Sequence, residues 1–419
     1  MTTKPFVIPK RLVWEAYQRV KANQGSAGID AVSIEAFDQD RNSHLYRIWN
    51  RLSSGSYFPP PVKAVPIPKK SGGTRILGVP TVGDRIAQTA AAMVLEPLLE
   101  PVFHADSYGY RPGKSAHDAL AVTRQRCWQF DWVLEYDIRA LFDEIDHSLL
   151  LKALHHHCDE RWVLLHVERW LTAPIQGPDG AASPRTKGVP QGGPLSPILA
   201  NLFLHYALDH WLERHHPDIP FCRCADDGIL HCETETQARQ VRQQLAERLQ
   251  DCGLEMHPQK TRVVYCKDSR RTHSHEHIQF DFLGYTFRPR RVVSRHGRVL
   301  TGFTPAVSRQ AMKAMRQSLR QRRLFKHSEL SLEQLAEFLA PPVRGWMAYY
   351  CRFRGSEFQT VADYIDHSIV RWAMRKYKRL RGHQHRAFAW LDRLKRKSPA
   401  LFPHWCGRGG FAVGTTGAR

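Results

Sequence analysis

The stretch Phe221-Cys222-Arg223-Cys224-Ala225-Asp226-Asp227-Gly228-Ile229-Leu230 constrains the fold of this chain most. Two short apolar runs flank an Asp-Asp-Gly, the pattern of a β-hairpin with a Gly-assisted turn, which puts both carboxylates at an exposed tip. Adjacent acids on a turn call for a cation. An Asp-Gly pair also serves turns for geometry alone, so the rest of the chain must decide.

Residues 1–60 read as helical, with Trp14, Tyr17 and Val20 at helical spacing, up to Pro59-Pro60-Pro61. Val62 to Arg75 then reads as a basic hairpin. Its Lys69 and Arg75 can close over a triphosphate, Arg as a fork and Lys as a point charge, or stand as a solvated turn. An Ala-rich helix (Asp84 to Leu99) precedes the loop Tyr108-Gly109-Tyr110-Arg111-Pro112-Gly113-Lys114-Ser115, which opens a helix from Ala116. Trp132 to Ile138 reads as a strand with Asp137 at its end, and His147 to Cys158 as a helix. The turn-rich loop 186–197 opens a long apolar helix to about Arg214. After the hairpin, Ala238, Val241, Leu245 and Leu249 define an amphipathic helix, capped by Thr234 or Thr236 and closed by Gly253, before a strand at 261–266.

A sheet covered on one face by helices is the economical packing of that order. Asp137 and Asp226 then end neighbouring strands. A carboxylate cluster of this kind stays ionised only with cations, the requirement of a two-metal site. Polymerisation fits such a site, and so does hydrolysis.

Charge narrows the partners. Against 40 Asp and Glu stand 61 Lys and Arg, a net +21 that points to a polyanion such as nucleic acid. Residues 305–397 hold 21 Lys and Arg against 7 Asp and Glu, a surplus of 14 out of that total. Arg309, Lys313, Arg316 and Arg320 share one helix face, offset from Met312, Met315 and Leu319. Like charges so spaced repel unless phosphates lie between them. No apolar run reaches the length of a spanning helix and the N-terminus lacks a signal core, so no membrane partner and a cytoplasmic location are expected. Nine scattered cysteines argue against a disulfide framework, and Cys222, Cys224, His231 and Cys232 lack the spacing of a zinc knuckle.

From Asn23 to Trp405 the chain resembles the reverse transcriptases encoded by group II introns, also called maturases. The resemblance rests on Arg75-Ile76-Leu77-Gly78-Val79-Pro80 with Asp84-Arg85, Tyr108 to Gly113, Gly188-Val189-Pro190-Gln191-Gly192-Gly193 with Leu195-Ser196-Pro197, Ala225-Asp226-Asp227, and Phe282-Leu283-Gly284-Tyr285. It implies an α+β right-hand polymerase, with fingers, an RRM-like palm on a βαββαβ sheet, and a helical thumb or maturase domain. The implied boundaries are 1–60 for an N-terminal helical extension and 61–130 for fingers. The palm comes next at 131–290 with a fingers insertion at about 150–190, then the thumb at 300–380, and a basic segment and flexible tail at 381–419.

The same resemblance makes Asp137, Asp226 and Asp227 catalytic, with Asp137, Asp226 and the Ile138 carbonyl holding two Mg²⁺ ions, or Mn²⁺ in their place. Lys260 corresponds to a lysine that protonates pyrophosphate. Lys69, Arg75, Phe142 and Gln191 fall where the family binds the incoming dNTP, Phe142 excluding a ribose 2′-hydroxyl. Phe282, Leu283, Gly284 and Tyr285 correspond to the primer grip. Arg111 and the cationic face of Arg309, Lys313, Arg316 and Arg320 are expected on nucleic acid. RNA template, DNA primer, dNTPs and intron RNA are the implied partners; the oligomeric state is not implied. Where the family places an aromatic before Ala-Asp-Asp this chain has Cys224, so activity is expected to persist with altered fidelity or primer use. The alternatives within the resemblance are a splicing-only maturase, or an enzyme recruited to phage defence or CRISPR spacer acquisition.

Overall fold

The structure is a computed structural model that describes residues 4–68, 73–293 and 297–406. In chain order its strands are β1 (Val62–Pro68), β2 (Thr74–Val79), β3 (Trp132–Arg139), β4 (Ile175–Gln176), β5 (Ala182–Ser183), β6 (Phe221–Cys224), β7 (Asp227–Cys232), β8 (Glu255–Met256), β9 (Arg262–Tyr265), β10 (Phe280–Phe282), β11 (Tyr285–Val293) and β12 (Val299–Val307). Two compact units divide the chain, the first comprising Met1–Ser115, Glu135–Leu230 and Thr236–Arg262, the second Ala116–Leu134, His231–Glu235 and Val263–Arg419.

In the first unit, helix Val82–Leu99 is buried on most sides, which its run of alanines permits. Thr81 caps it by accepting a hydrogen bond from the Asp84 amide, 3.1 Å. The Asp84 carboxylate is buried and accepts from Tyr57, Gln88 and Trp170. Burial pushes its pKa up to about 6, against the three hydrogen bonds, which favour the ionised carboxylate. Helix Lys10–Asn23 buries Val13, Ala16, Tyr17 and Val20, while Trp14 stays at the rim under the Arg41 guanidinium, 5.0 Å away. The small basic sheet runs β2-β1-β4-β5, with Ile67 opposite Arg75 in the antiparallel β1–β2 pair. The central sheet runs β6-β7-β3-β8, and β3 is buried along nearly its whole length, Glu135 and Asp137 included.

In the second unit, β10, β11 and β12 form an antiparallel sheet, with nine residue pairs from Tyr285↔Val307 to Val293↔Val299. Phe280 stacks on Phe287, centroids 4.7 Å apart, beneath Phe303. Helices Arg309–Gln321, Leu332–Arg354, Gln359–Lys376 and Gln384–Lys397 pack around Leu335, Leu339, Ile365, Ile369 and Trp372. Ser331 and Gln334 form a capping box at the second of these helices. Asp366 is buried and accepts from Lys395, from His404 Nε2 at 3.0 Å and from Trp405 Nε1 at 2.8 Å, so three helices meet on one carboxylate. No described helix is long and apolar enough to cross a membrane.

Candidate active site at the 224–228 hairpin

The hairpin pairs Cys224 with Asp227 and Arg223 with Gly228, so its two-residue loop is Ala225-Asp226. Ala225 takes the left-handed conformation at φ 58°, which costs an L-residue about 1–2 kcal/mol. The turn therefore does not use its glycine. Gly228 sits inside β7 under the Tyr136 ring, where a Cβ would lie 2.1 Å from Cζ. That corrects the expectation of a Gly-assisted turn: the glycine answers to a close approach, and alanine bears the strain. Nor is the tip exposed, since Asp226 and Asp227 are both half-buried.

Strand order places β7 beside β3, and the Ile138 amide donates to the Asp226 carbonyl at 3.0 Å. Asp137 lies near the end of β3 and is buried; its own carbonyl accepts from the His257 amide at 2.8 Å. That bond brings the 257–261 turn against the acids, and Lys260 Nζ reaches Asp137 Oδ2 at 2.7 Å. Burial, then the charges of Asp226 and Asp137, push the Asp227 carboxyl up to about 7, and it is hydrogen-bonded to Asp137. Burial and Asp137 likewise raise Asp226, with Lys260 opposing. Burial disfavours the Lys260 ammonium, yet its bond to Asp137 and the three negative charges hold its pKa above the ordinary lysine value.

Three oxygen donors short of positive charge fit a hard divalent cation such as Mg²⁺ or Mn²⁺. Among the described residues no three Asp, Glu, His or Cys side chains already converge on one point. Asp137 is instead engaged through Oδ2 by the Lys260 ammonium at 2.7 Å.

The other candidates of this unit take varied positions. Phe142 is half-buried in the short helix Leu141–Glu144, one turn beyond β3, and its carbonyl accepts from Val189 at 2.7 Å. The Gln191 carbonyl accepts from Gly78 at 2.7 Å, tying its loop to β2, where Arg75 is exposed. Lys69 lies outside the described residues. Arg111 is corrected. Its side chain is 6% exposed and its guanidinium is taken up by Glu100 and by the carbonyls of His104 and Ser107, which leaves no donor for a phosphate. Its neighbour Tyr110 belongs to the Tyr108 to Gly113 motif but carries no expected role there. That residue is 63% exposed at φ 57°, and its phenol lies within the electrostatic reach of Asp226, Cys224 and Arg75.

In the second unit, Phe282 ends β10 and Tyr285 begins β11, with Leu283 (φ 50°) and Gly284 (φ 78°) as a two-residue turn of the hairpin-favouring type. Tyr349 donates to the Leu283 carbonyl at 2.9 Å, and Tyr285 donates to the Tyr349 carbonyl. On helix Arg309–Gln321, Met315 and Leu319 are buried while Arg309, Lys313 and Arg320 are exposed and Arg316 half-exposed. Arg320 also donates to the Tyr364 hydroxyl at 3.1 Å.

Residues 67–287 match the family model "Reverse transcriptase (RNA-dependent DNA polymerase)", and residues 312–390 match "Group II intron, maturase-specific domain". Protein YkfC of Escherichia coli is 30% identical over 310 residues, 64% of this chain and 77% of its own length. The group II intron-encoded protein LtrA of Lactococcus lactis is 32% identical over 203 residues, 48% of this chain and 33% of its own length. A putative COX1/OXI3 intron 1 protein of Saccharomyces cerevisiae is 30% identical over 198 residues, 47% of this chain and 24% of its own. This chain thus spans a third or less of the two intron proteins.

Proposed function

The chain belongs to the group II intron-encoded reverse transcriptase and maturase family, and on that footing we propose that it is an RNA-directed DNA polymerase, a right-hand polymerase of fingers, palm and thumb. The supporting observation is the group Asp137, Asp226 and Asp227, where burial and then mutual repulsion raise two of the three acids, and where Lys260 meets Asp137 at 2.7 Å. The Asp137 and Asp226 carboxylates and the Ile138 carbonyl would hold Mg²⁺, which when bound would supply Lewis-acid activation of the primer 3′-hydroxyl and charge neutralisation at the triphosphate. Lys260 leaves Asp137 and donates its proton to the departing pyrophosphate; the raised pKa keeps that proton in place until it is needed.

Arg75 with Lys69 grips the triphosphate, Phe142 occupies the space of a 2′-hydroxyl, and Gln191 packs on nucleotide and template. The turn 282–285 holds the primer end. Arg309, Lys313, Arg316 and Arg320 take the backbone phosphates of the RNA–DNA duplex, read by charge and shape rather than by sequence. The maturase-specific segment binds intron RNA and assists splicing and mobility, in the cytoplasm.

Extension of a DNA primer on an RNA template with Mg²⁺ tests this reading. The wild type is expected to extend the primer and Asp226→Ala to fall by about 10³-fold or more. A wild type that binds the template-primer without extending it overturns the polymerase and leaves a splicing factor.

A further inference from the structure

The hairpin loop has no glycine, yet it holds a left-handed residue next to a candidate metal ligand. Such strain persists only where its surroundings over-determine it. The Arg223 side chain, 0% exposed, supplies those surroundings. Its Nε and Nη2 donate to the two oxygens of Asp209 at 2.7 and 2.6 Å, and Nη2 also donates to Ser107 Oγ at 2.8 Å. Nη1 donates to Asn201 Oδ1 at 3.1 Å and to the Ala225 carbonyl at 3.4 Å. Asn201 in turn donates to the Gly109 carbonyl at 2.7 Å. Gly109 lies directly against the loop, where a Cβ would come within 2.6 Å of the Ala225 nitrogen. The Arg223 backbone is fixed as well, donating to Asp106 at 3.0 Å and accepting from Tyr108 at 2.8 Å.

The helix facing Arg223 is built for this clamp. Asn201 and Asp209 are eight residues apart, which in an unbroken α-helix leaves them roughly 80° out of register. A π-turn at His205–Asp209 inserts one residue and rotates the C-terminal part of the helix back by roughly 100°, so both partners face the guanidinium. Apolar side chains of the same volume commonly match a buried ion pair in stability; what they do not supply is the directed bonds to Asn201, Ser107 and the Ala225 carbonyl.

We propose that Arg223 is a positioning residue of this site, clamping Asp209, Asn201, Ser107 and the Ala225 carbonyl so that the strained loop presents Asp226 in one fixed direction. The inference rests on the polymerase reading for its catalytic consequence, and on cation binding alone for its geometric one.

The test is the double variant Arg223→Met with Asp209→Leu in the full chain, which removes both charges at similar volume. Thermal unfolding reports the fold, Mn²⁺ titration followed by electron paramagnetic resonance reports the site against an Asp226→Ala background, and primer extension reports kcat and KM for dNTP. Cooperative unfolding near the wild-type temperature is expected, with Mn²⁺ affinity down by about tenfold or more and kcat by about 100-fold at little changed KM. Mn²⁺ affinity and kcat within about twofold of wild type in the folded double variant would overturn the proposal. Should that variant not fold, Asn201→Ala removes one arm of the clamp: partial loss of Mn²⁺ affinity supports the proposal, and wild-type affinity refutes it. A wild type that binds Mn²⁺ at Asp226 but extends no primer defeats the polymerase reading, and the Mn²⁺ comparison still decides the role of Arg223.

Discussion

The two units each bury a set of charges around aspartate, and they balance them in opposite ways. At the hairpin, Asp137, Asp226 and Asp227 meet Lys260, and burial together with the two neighbouring acids raises Asp227 to about 7. In the helical unit, Asp366 is held by Lys395, His404 and Trp405, and although burial works against the carboxylate, those donors bring its pKa down to about 2. The second arrangement is what a chain builds to hold helices together. The first is electrostatically unfinished, and a folded protein retains such a deficit where a ligand completes it.

That contrast can be broken most forcefully at Asp366. Asp366→Ala strands the Lys395 ammonium and the Trp405 and His404 donors, and is expected to cost the helical unit about 3–5 kcal/mol. Hydrogen exchange resolved by residue measures it, and exchange unchanged across 359–397 would refute the tie. Acid titration probes the same group more gently. Its folded pKa lies below the unfolded value of 3.8, so its contribution is complete above about pH 4 and is lost as pH falls through about 2, some 2 kcal/mol in all. Urea unfolding of wild type and Asp366→Asn should therefore differ at pH 6 and converge toward pH 2; a gap that persists at low pH would assign the stability elsewhere. The smallest effect, and of opposite sign, is expected at the hairpin. Asp227→Asn relieves repulsion in the absence of cations and should stabilise the first unit by about 1 kcal/mol while lowering primer extension. A loss of stability there would mean that the acids are already compensated.

Much of the site is legible in the sequence because its parts lie on elements with strong local signals. β3 reads as a strand because it is apolar along most of its length, and the helix at 235–251 because Ala238, Val241, Leu245 and Leu249 keep one face. Those two assignments, with the hairpin between them, bring Asp137 to Asp226. What escapes depends on register. A π-turn leaves no mark in composition, so nothing announces that Asp209 and Asn201 share a face. Arg223 stands in an apolar strand, where a lone cation has no local signature of burial, and its partners are 14 and 22 residues away. Arg111 misleads for a related reason, because a basic loop next to a glycine looks solvent-facing until Glu100 and the carbonyls of His104 and Ser107 are found around it. Gly228 reads as a turn former because Asp-Gly has that meaning in most hairpins; here its missing side chain makes room for Tyr136.

That last contact orders the mutational steps open to the hairpin. With a Cβ at 228 falling 2.1 Å from the buried Tyr136 ring, a side chain enters at 228 only if that ring shifts. Alanine at 228 is therefore expected to be tolerated better beside a smaller side chain at 136 than beside the tyrosine. The two positions are coupled by space alone: with the buried tyrosine ring in place, glycine is the residue that fits at 228 without a shift.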